Sequence, residues 1–417
     1  MSRNGLARRT RTALLLATML PSACGDPGPA SRAVVRDSAG ITIVENASPD
    51  DSTAYDWWTV ASPEIDIGGG DADATQALFR VVDAHRRSDG SVVVANSGSS
   101  ELLVFDAAGA HRATWGRRGG GPGEFQSLAA LLPGGADSLL VWDARERRFS
   151  LFDPDGDLAR DFHLGESGSA SATPVDRLAD GGFVAWAAII RPDPNEILAG
   201  LQRGESHVLR FTAAGAVQDT IGVFPGGERV IRVTMSNGEI QSIEVMMPPF
   251  ARTTSHAMVG DDVWVATQDA PELRAFALDG ALRRIVRTGR SVQAVTPRHI
   301  DAWIKRSVQD VPGDVQQGMR ERLQALPHSQ SVPPYGRILS DDAGNAWVAD
   351  YNDPLITPGR WTVYGDDGRA IARITLPERF VPYEIGADWI LGRDLDDLDV
   401  EHVRLYRISK RPSAGSS

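Results

Sequence analysis

The chain has 417 residues, of which 42% are apolar and 24% charged. That balance excludes a multi-pass membrane protein, a disordered tail protein and a collagen-like rod. The 42 glycines and 25 prolines favour many turns and an all-β fold, and a net charge of -12 suits nucleic acid poorly, since that affinity comes from Lys and Arg on phosphates.

Arg3, Arg8, Arg9 and Arg11 precede the apolar run Ala13 to Leu20, followed by Pro21-Ser22-Ala23-Cys24. A basic start, a short apolar stretch and small residues before a break read as a secretory signal peptide over 1–23. The run is too short for a permanent membrane helix. Ser22-Ala23-Cys24 resembles the end of a bacterial lipoprotein leader, which implies lipid attachment at Cys24; the alternative is plain secretion with Cys24 incidental. A flexible tether over 24–36 follows. Removing 1–23 removes four arginines and no acid, so the mature charge is -16. Cys24 is the only cysteine, so a disulfide, zinc ribbon or iron–sulfur site cannot exist in the body of the chain.

From residue 37 to 410 short β-branched or aromatic runs recur between Asp-Gly-type turns. Four strands fall in each of 79–115, 125–162, 174–223, 252–287 and 336–376, and three in 383–408. A period in the forties with four strands per repeat is the pattern of a β-propeller. The fold class is therefore all-β, a six-bladed β-propeller. The last unit lacks a fourth strand, and Gly40 to Glu45 offers one, so this N-terminal strand is expected to close the ring and hide two edges. Asp193 to Gly204 and Gly226 to Met247 read as long insertions. A further insertion, 296–327, is helical: Thr296-Pro297 is a helix start, and apolar residues recur at helical spacing over 297–310 and 314–326. These helices read as a surface cap or, more sharply, a lid over the channel. Residues 411–417 read as a disordered tail.

Trp115 to Phe125, with its run of glycines, resembles the segment between NHL-type repeats, and so does Gly344 to Asp350. Arg36 to Asn46 resembles the entry to bacterial six-bladed β-propeller proteins. The likeness runs from about residue 36 to 410. It implies a fold and no agreed activity.

Chemistry is sparse. The sequence has no Gly-x-Ser-x-Gly elbow, no His-Glu-x-x-His and no P-loop. Six-bladed lactonases hold a metal through acids and amides ahead of the inner strands; the corresponding places here hold Phe79, Glu124-Phe125, Thr173-Pro174, Phe250, Tyr335 and Phe380, of which only Glu124 suits a hard cation. His85 and His256 fall at similar places in two inner strands, without the third histidine of an NHL-type zinc lyase. No metal and no cofactor is expected. Asp394 to Asp399 reads as a solvated hairpin tip. The stronger pattern is Arg80, Arg252 and Arg337, which follow Phe79, Phe250 and Tyr335 at the start of three inner strands. Guanidinium groups suit carboxylate or phosphate, so these six residues form the candidate ligand site at the channel mouth. The competing reading pairs each Arg with a neighbouring carboxylate such as Asp83 or Glu124.

The sequence thus points to an exported, lipid-anchored protein of the cell envelope, periplasmic or at the outer membrane, monomeric and with no nucleic-acid partner. Its expected role is non-catalytic binding of a peptide, a glycan or a partner protein. The alternative is a lactonase- or lyase-like enzyme acting on a small anionic substrate at the central channel.

Overall fold

The computed structural model describes residues 33–48, 57–59, 62–69, 77–165, 172–189, 200–237, 239–356 and 359–410. The expected signal peptide, Cys24, the expected tether up to residue 32, residues 193–199 of the first insertion and the expected tail lie outside the described residues. Within the described residues the chain is built mostly from short strands, and many of the turns that end them are closed by a left-handed residue. One turn repeats. The backbone oxygens of Asp106, Asp153, Thr212, Ala277 and Gly365 each accept the N–H of a glycine three residues on: Gly109, Gly156, Gly215, Gly280 and Gly368. All five glycines have φ between +83° and +91°, a region costly for a residue with a Cβ. Asp106 and Asp153 also bind two following N–H groups through their carboxylates.

Among the described residues, six sheets of four to six strands form, with a two-stranded ribbon beside them. They run, in chain order, Val81–Arg86 to His111–Trp115, Leu128–Gly135 to Leu158–His163, Ala172–Arg177 to Glu239–Met246, Ser255–Val259 to Leu282–Arg287, Ile338–Ser340 to Ala370–Thr375, and Val381–Ile385 to Glu401–Lys410. Each sheet contains a meander of consecutive antiparallel strands, and the first strand of each meander lines a common cavity. Sheets radiating from a shared axis make a β-propeller.

The core lies between the sheets. Phe149, Phe183 and Phe211 join the second sheet to the third, with the Phe149 and Phe183 rings stacked at 4.9 Å. Trp264, Tyr335 and Ile338 join the fourth to the fifth, and Ile67, Val94 and Leu405 join the last to the first. Full burial of one such side chain stabilises by roughly 1.5–3 kcal/mol. The repeated glycine turns add a stagger. A Cβ on Gly156 would stand 2.1 Å from Trp115 Nε1, on Gly215 2.3 Å from the His163 oxygen, and on Gly368 2.7 Å from Val286 Cγ2. Each turn therefore rests on the fourth strand of the preceding sheet's meander.

The strand expected to close the ring lies elsewhere. Ile41–Glu45 pairs in parallel with Leu282–Arg287 of the fourth sheet, and Val34–Ser38 pairs outside it. Asn46 pins this arrangement: its amide donates to the Arg287 and Gly368 oxygens and its carbonyl accepts the Ala370 N–H. The last sheet takes Ile65–Gly68 instead, antiparallel to Glu401–Lys410, and Trp57–Thr59 pairs farther along the same strand. The physical reason lies in the partners each strand meets. Ile65 and Ile67 are buried in the last-to-first cluster, while Asp66 between them binds His402 and Arg404.

Helix α1, Pro297–Ser307, starts at Thr296, whose N–H donates to His299 Nδ1. It buries Ile304, and Val308 just beyond it, and it approaches Phe250 and Asp353 through His299. Helix α2, Gly313–Gln324, has no buried residue. The second long insertion is regular: Val217–Ser236 continues as one long strand and returns through Glu239–Met246, the fifth strand of its sheet.

Candidate functional site

The first strands of the six sheets enclose a cavity of about 590 Å³ on the axis. Asp83, Asp176 and Glu384 reach it from the first, third and last sheets. Each follows a break in strand register: pairing skips Val82 between Val81 and Asp83, Val175 between Pro174 and Asp176, and Tyr383 between Pro382 and Glu384. Such bulges re-aim side chains. The sequence pattern is Val-Val-Asp, Pro-Val-Asp and Pro-Tyr-Glu. This recurring pattern was the available signal, and a search at the strand starts, two to four residues earlier, passed over it.

The carboxylates knit the first strands together. Asp83 accepts the Ala84 N–H at 2.9 Å and the Leu131 N–H of the second sheet at 2.8 Å. Glu384 accepts the Arg86 N–H at 2.7 Å and stands 3.1 Å from His85 Nδ1. Tyr383 donates its hydroxyl to the Val81 oxygen at 2.7 Å. Burial pushes the Asp83 carboxyl up to about 7, against the two N–H groups that favour its anion. Burial also raises Asp342, with Glu384 and Asp341 adding repulsion, and raises Asp176. His85 is pulled the other way by two effects: burial lowers it, and the Glu384 hydrogen bond and charge outweigh burial and raise it. Across the cavity His256 is pushed down to about 4 by burial. Its ring stacks on Trp186 at 5.8 Å.

The lining thus carries Asp83, Asp176, Asp341, Asp342 and Glu384, two histidines, Trp186 and Tyr383, and, among the described residues, neither Lys nor Arg. It can hold a cation by charge and by a ring face. Among the described residues no three His, Cys, Asp or Glu side chains are grouped to hold a metal ion.

None of the six residues singled out from the sequence lines this cavity. Phe79 is exposed, with the Arg80 guanidinium 5.2 Å from its ring centre. Arg252 is committed to Glu228, a buried carboxylate, and to Asp269 at 3.0 Å. Arg337 donates to the Pro382 oxygen at 2.6 Å and lies over Trp361. Phe250 and Tyr335 are fully buried, and the Tyr335 hydroxyl donates to the Glu272 oxygen at 2.7 Å. Neither can offer a wall to a ligand. Carboxylate pairing holds for Arg252, with Glu228 and Asp269 in place of Asp83 or Glu124; Glu124 binds Arg117 at 2.7 Å. The helical insertion contributes no residue to the cavity, so α1 and α2 do not form its wall. In the 394–399 stretch Leu398 is exposed, but Asp394 is buried against Arg404, so only the tip is solvated.

No family model matches the chain, and no curated protein matches it. Solved structures do resemble it at low identity. A member of the DUF4221 family from Bacteroides vulgatus is 12% identical with a TM-score of 0.49, covering 86% of this chain and 99% of that one. A virginiamycin B lyase from Staphylococcus aureus is 8% identical at 0.39, covering 85% and 99%. A calcium-binding protein, regucalcin, from Agrobacterium tumefaciens is 13% identical at 0.37, covering 81% and 93%. Identities this low carry no residue-level assignment. Among the described residues no helix is long and apolar enough to cross a membrane.

Proposed function

We propose that the chain is a six-bladed β-propeller, its ring completed by Ile65–Gly68, that acts as an exported, lipid-anchored binding module of the cell envelope. Its ligand site is the axial cavity, and it takes a cationic group: an amine, or a basic side chain of a peptide or partner protein. One observation carries the choice of ligand. Among the described residues, five carboxylates line the cavity and no Lys or Arg does; Arg337, outside the lining, offsets only part of their charge through Asp83. Desolvated carboxylates gain most from a counter-cation that enters the same low-dielectric space. Trp186 supplies a face for that cation. An anionic substrate would meet the same five acids, so the small-anion enzyme is the poorer reading. The arginines and aromatics at the strand starts serve the scaffold in this proposal.

Calorimetric titration of the purified chain tests it, with spermidine and an Arg-Lys peptide as cationic probes and citrate as the anionic control. Binding of a cationic probe, weakened roughly tenfold or more by Asp342→Asn with Glu384→Gln, supports the reading, since tenfold corresponds to about 1.4 kcal/mol. Citrate binding that survives both substitutions refutes it. The anchor is tested separately, by metabolic labelling with a radioactive fatty acid in cells carrying wild-type or Cys24→Ser chain; label in both refutes attachment at Cys24.

A further inference from the structure

The ribbon formed by the second insertion has two unlike faces. Cross-strand partners Ile231 and Val245, Val233 and Ile243, and Met235 and Ile240 share one face, because directly opposed residues point to the same side. Arg232 and Glu244 pair on the other face, at 3.5 Å, and Arg322 of helix α2 reaches Glu244 at 3.4 Å. The insertion helix therefore approaches the polar face, and the apolar face points outward. Met235 is 53% exposed, Ile240 45%, Ile243 58%, Val245 52% and the adjoining Met247 68%. Scattered exposed apolar residues are ordinary, but a contiguous set on one ribbon marks an interface.

We propose that this face is the contact between two copies of the chain, the two ribbons packed face to face about a two-fold axis. Three observations commit it to that occupant. The six cross-strand residues of the face are uncharged, with Arg229 continuing the same side only at its inner end, and a symmetric copy supplies a matching apolar face of the same dimensions. Its apolar surface is on the order of 500 Å² per copy, so a pair would bury about 1,000 Å², the threshold for a specific interface. The turn at the ribbon's end carries Ser236, Asn237 and Glu239 rather than the Trp, Tyr, Lys or Arg that anchor a segment among lipid headgroups. The outer edge of Glu239–Met246 is also unpaired among the described residues, and the strand contains no Lys, Arg or Pro to blunt it.

Sedimentation equilibrium on the purified chain, up to about 100 μM, tests the proposal. The wild type is expected to dimerise, and Met235→Lys with Ile243→Lys to weaken the dimer at least roughly 100-fold at an unchanged melting temperature. Val233→Thr with Val245→Thr, a gentler pair, should weaken it less and guards against misfolding of the first. A wild type that stays monomeric over the whole range, or a dimer that both variants leave intact, overturns it. Flotation of a monomeric wild type with phosphatidylglycerol vesicles, lost in the lysine variant, would assign the face to a membrane and also overturn it. The outcome is independent of the cation titration, which reads the axial cavity.

Discussion

Asp83 gives the site a measurable pH signature. Its carboxyl rises from 3.8 in the unfolded chain to about 7 in the fold, chiefly through burial. A shift of that size corresponds to roughly 4 kcal/mol between the two protonation states. Because the folded value is the higher one, the stabilising contribution is complete below about pH 4 and is lost as pH rises through 7. His85, also raised in the fold, acts in the same direction. The wild type should therefore lose stability between pH 5 and 8, measured as the urea midpoint at constant slope. Asp83→Asn removes this titration. It also leaves one oxygen to serve both Ala84 and Leu131 N–H groups, which should cost about 1–3 kcal/mol at acid pH. The variant should start less stable than wild type at pH 5, and the gap should narrow or invert by pH 8. Parallel profiles over that range would refute the assignment. The same titration controls the cavity's charge, so cation affinity in the wild type should rise over the interval in which stability falls.

Other outcomes follow from the same geometry. Glu384→Gln removes the group that raises His85, so the His85 pKa, followed by the imidazole proton shifts in NMR, should move down. Gly156→Ala should destabilise by about 3 kcal/mol or more, because a positive φ and a 2.1 Å clash with Trp115 combine. Gly40→Ala, with φ +83° and nothing within 4 Å, should cost only about 1 kcal/mol. If thermal melts give the two alanine variants equal losses, the stagger between sheets is not what the turn glycines serve. Asn46→Ala should lower stability by about 2 kcal/mol through three lost hydrogen bonds, without changing cation affinity.

Most of the strand framework was legible in the sequence for a local reason. A run such as Ser91 to Asn96 ends at a Gly90-type turn on one side and at polar residues on the other, and nothing distant can move those limits. Long-range choices were less visible. Ile41–Glu45 and Ile65–Gly68 both alternate, and only Asn46 with its three partners and Asp66 with His402 and Arg404 decide which sheet each joins. The site was hidden by its own geometry. Bulges at Val82, Val175 and Tyr383 break the two-residue period, so the acids behind them do not fall where alternation looks for axial residues. Arg252 drew attention instead, although Glu228, far upstream, had already claimed it. The insertion at 226–247 carried alternating apolar residues in plain view, yet it read only as a long insertion, because nothing local says that its strands extend an existing sheet.

The last sheet draws on both ends of the described chain. Ile65–Gly68 is made early and its partner Glu401–Lys410 is made last. While the polypeptide is being synthesised, Ile65 and Ile67 have no mate, and the neighbouring face of the first sheet stays open to solvent until residue 401 has emerged. Completion is thus a single late event, comparable to fastening a clasp after the whole strap has been drawn through. A premature stop just before Glu401 would leave two distant segments undone at once.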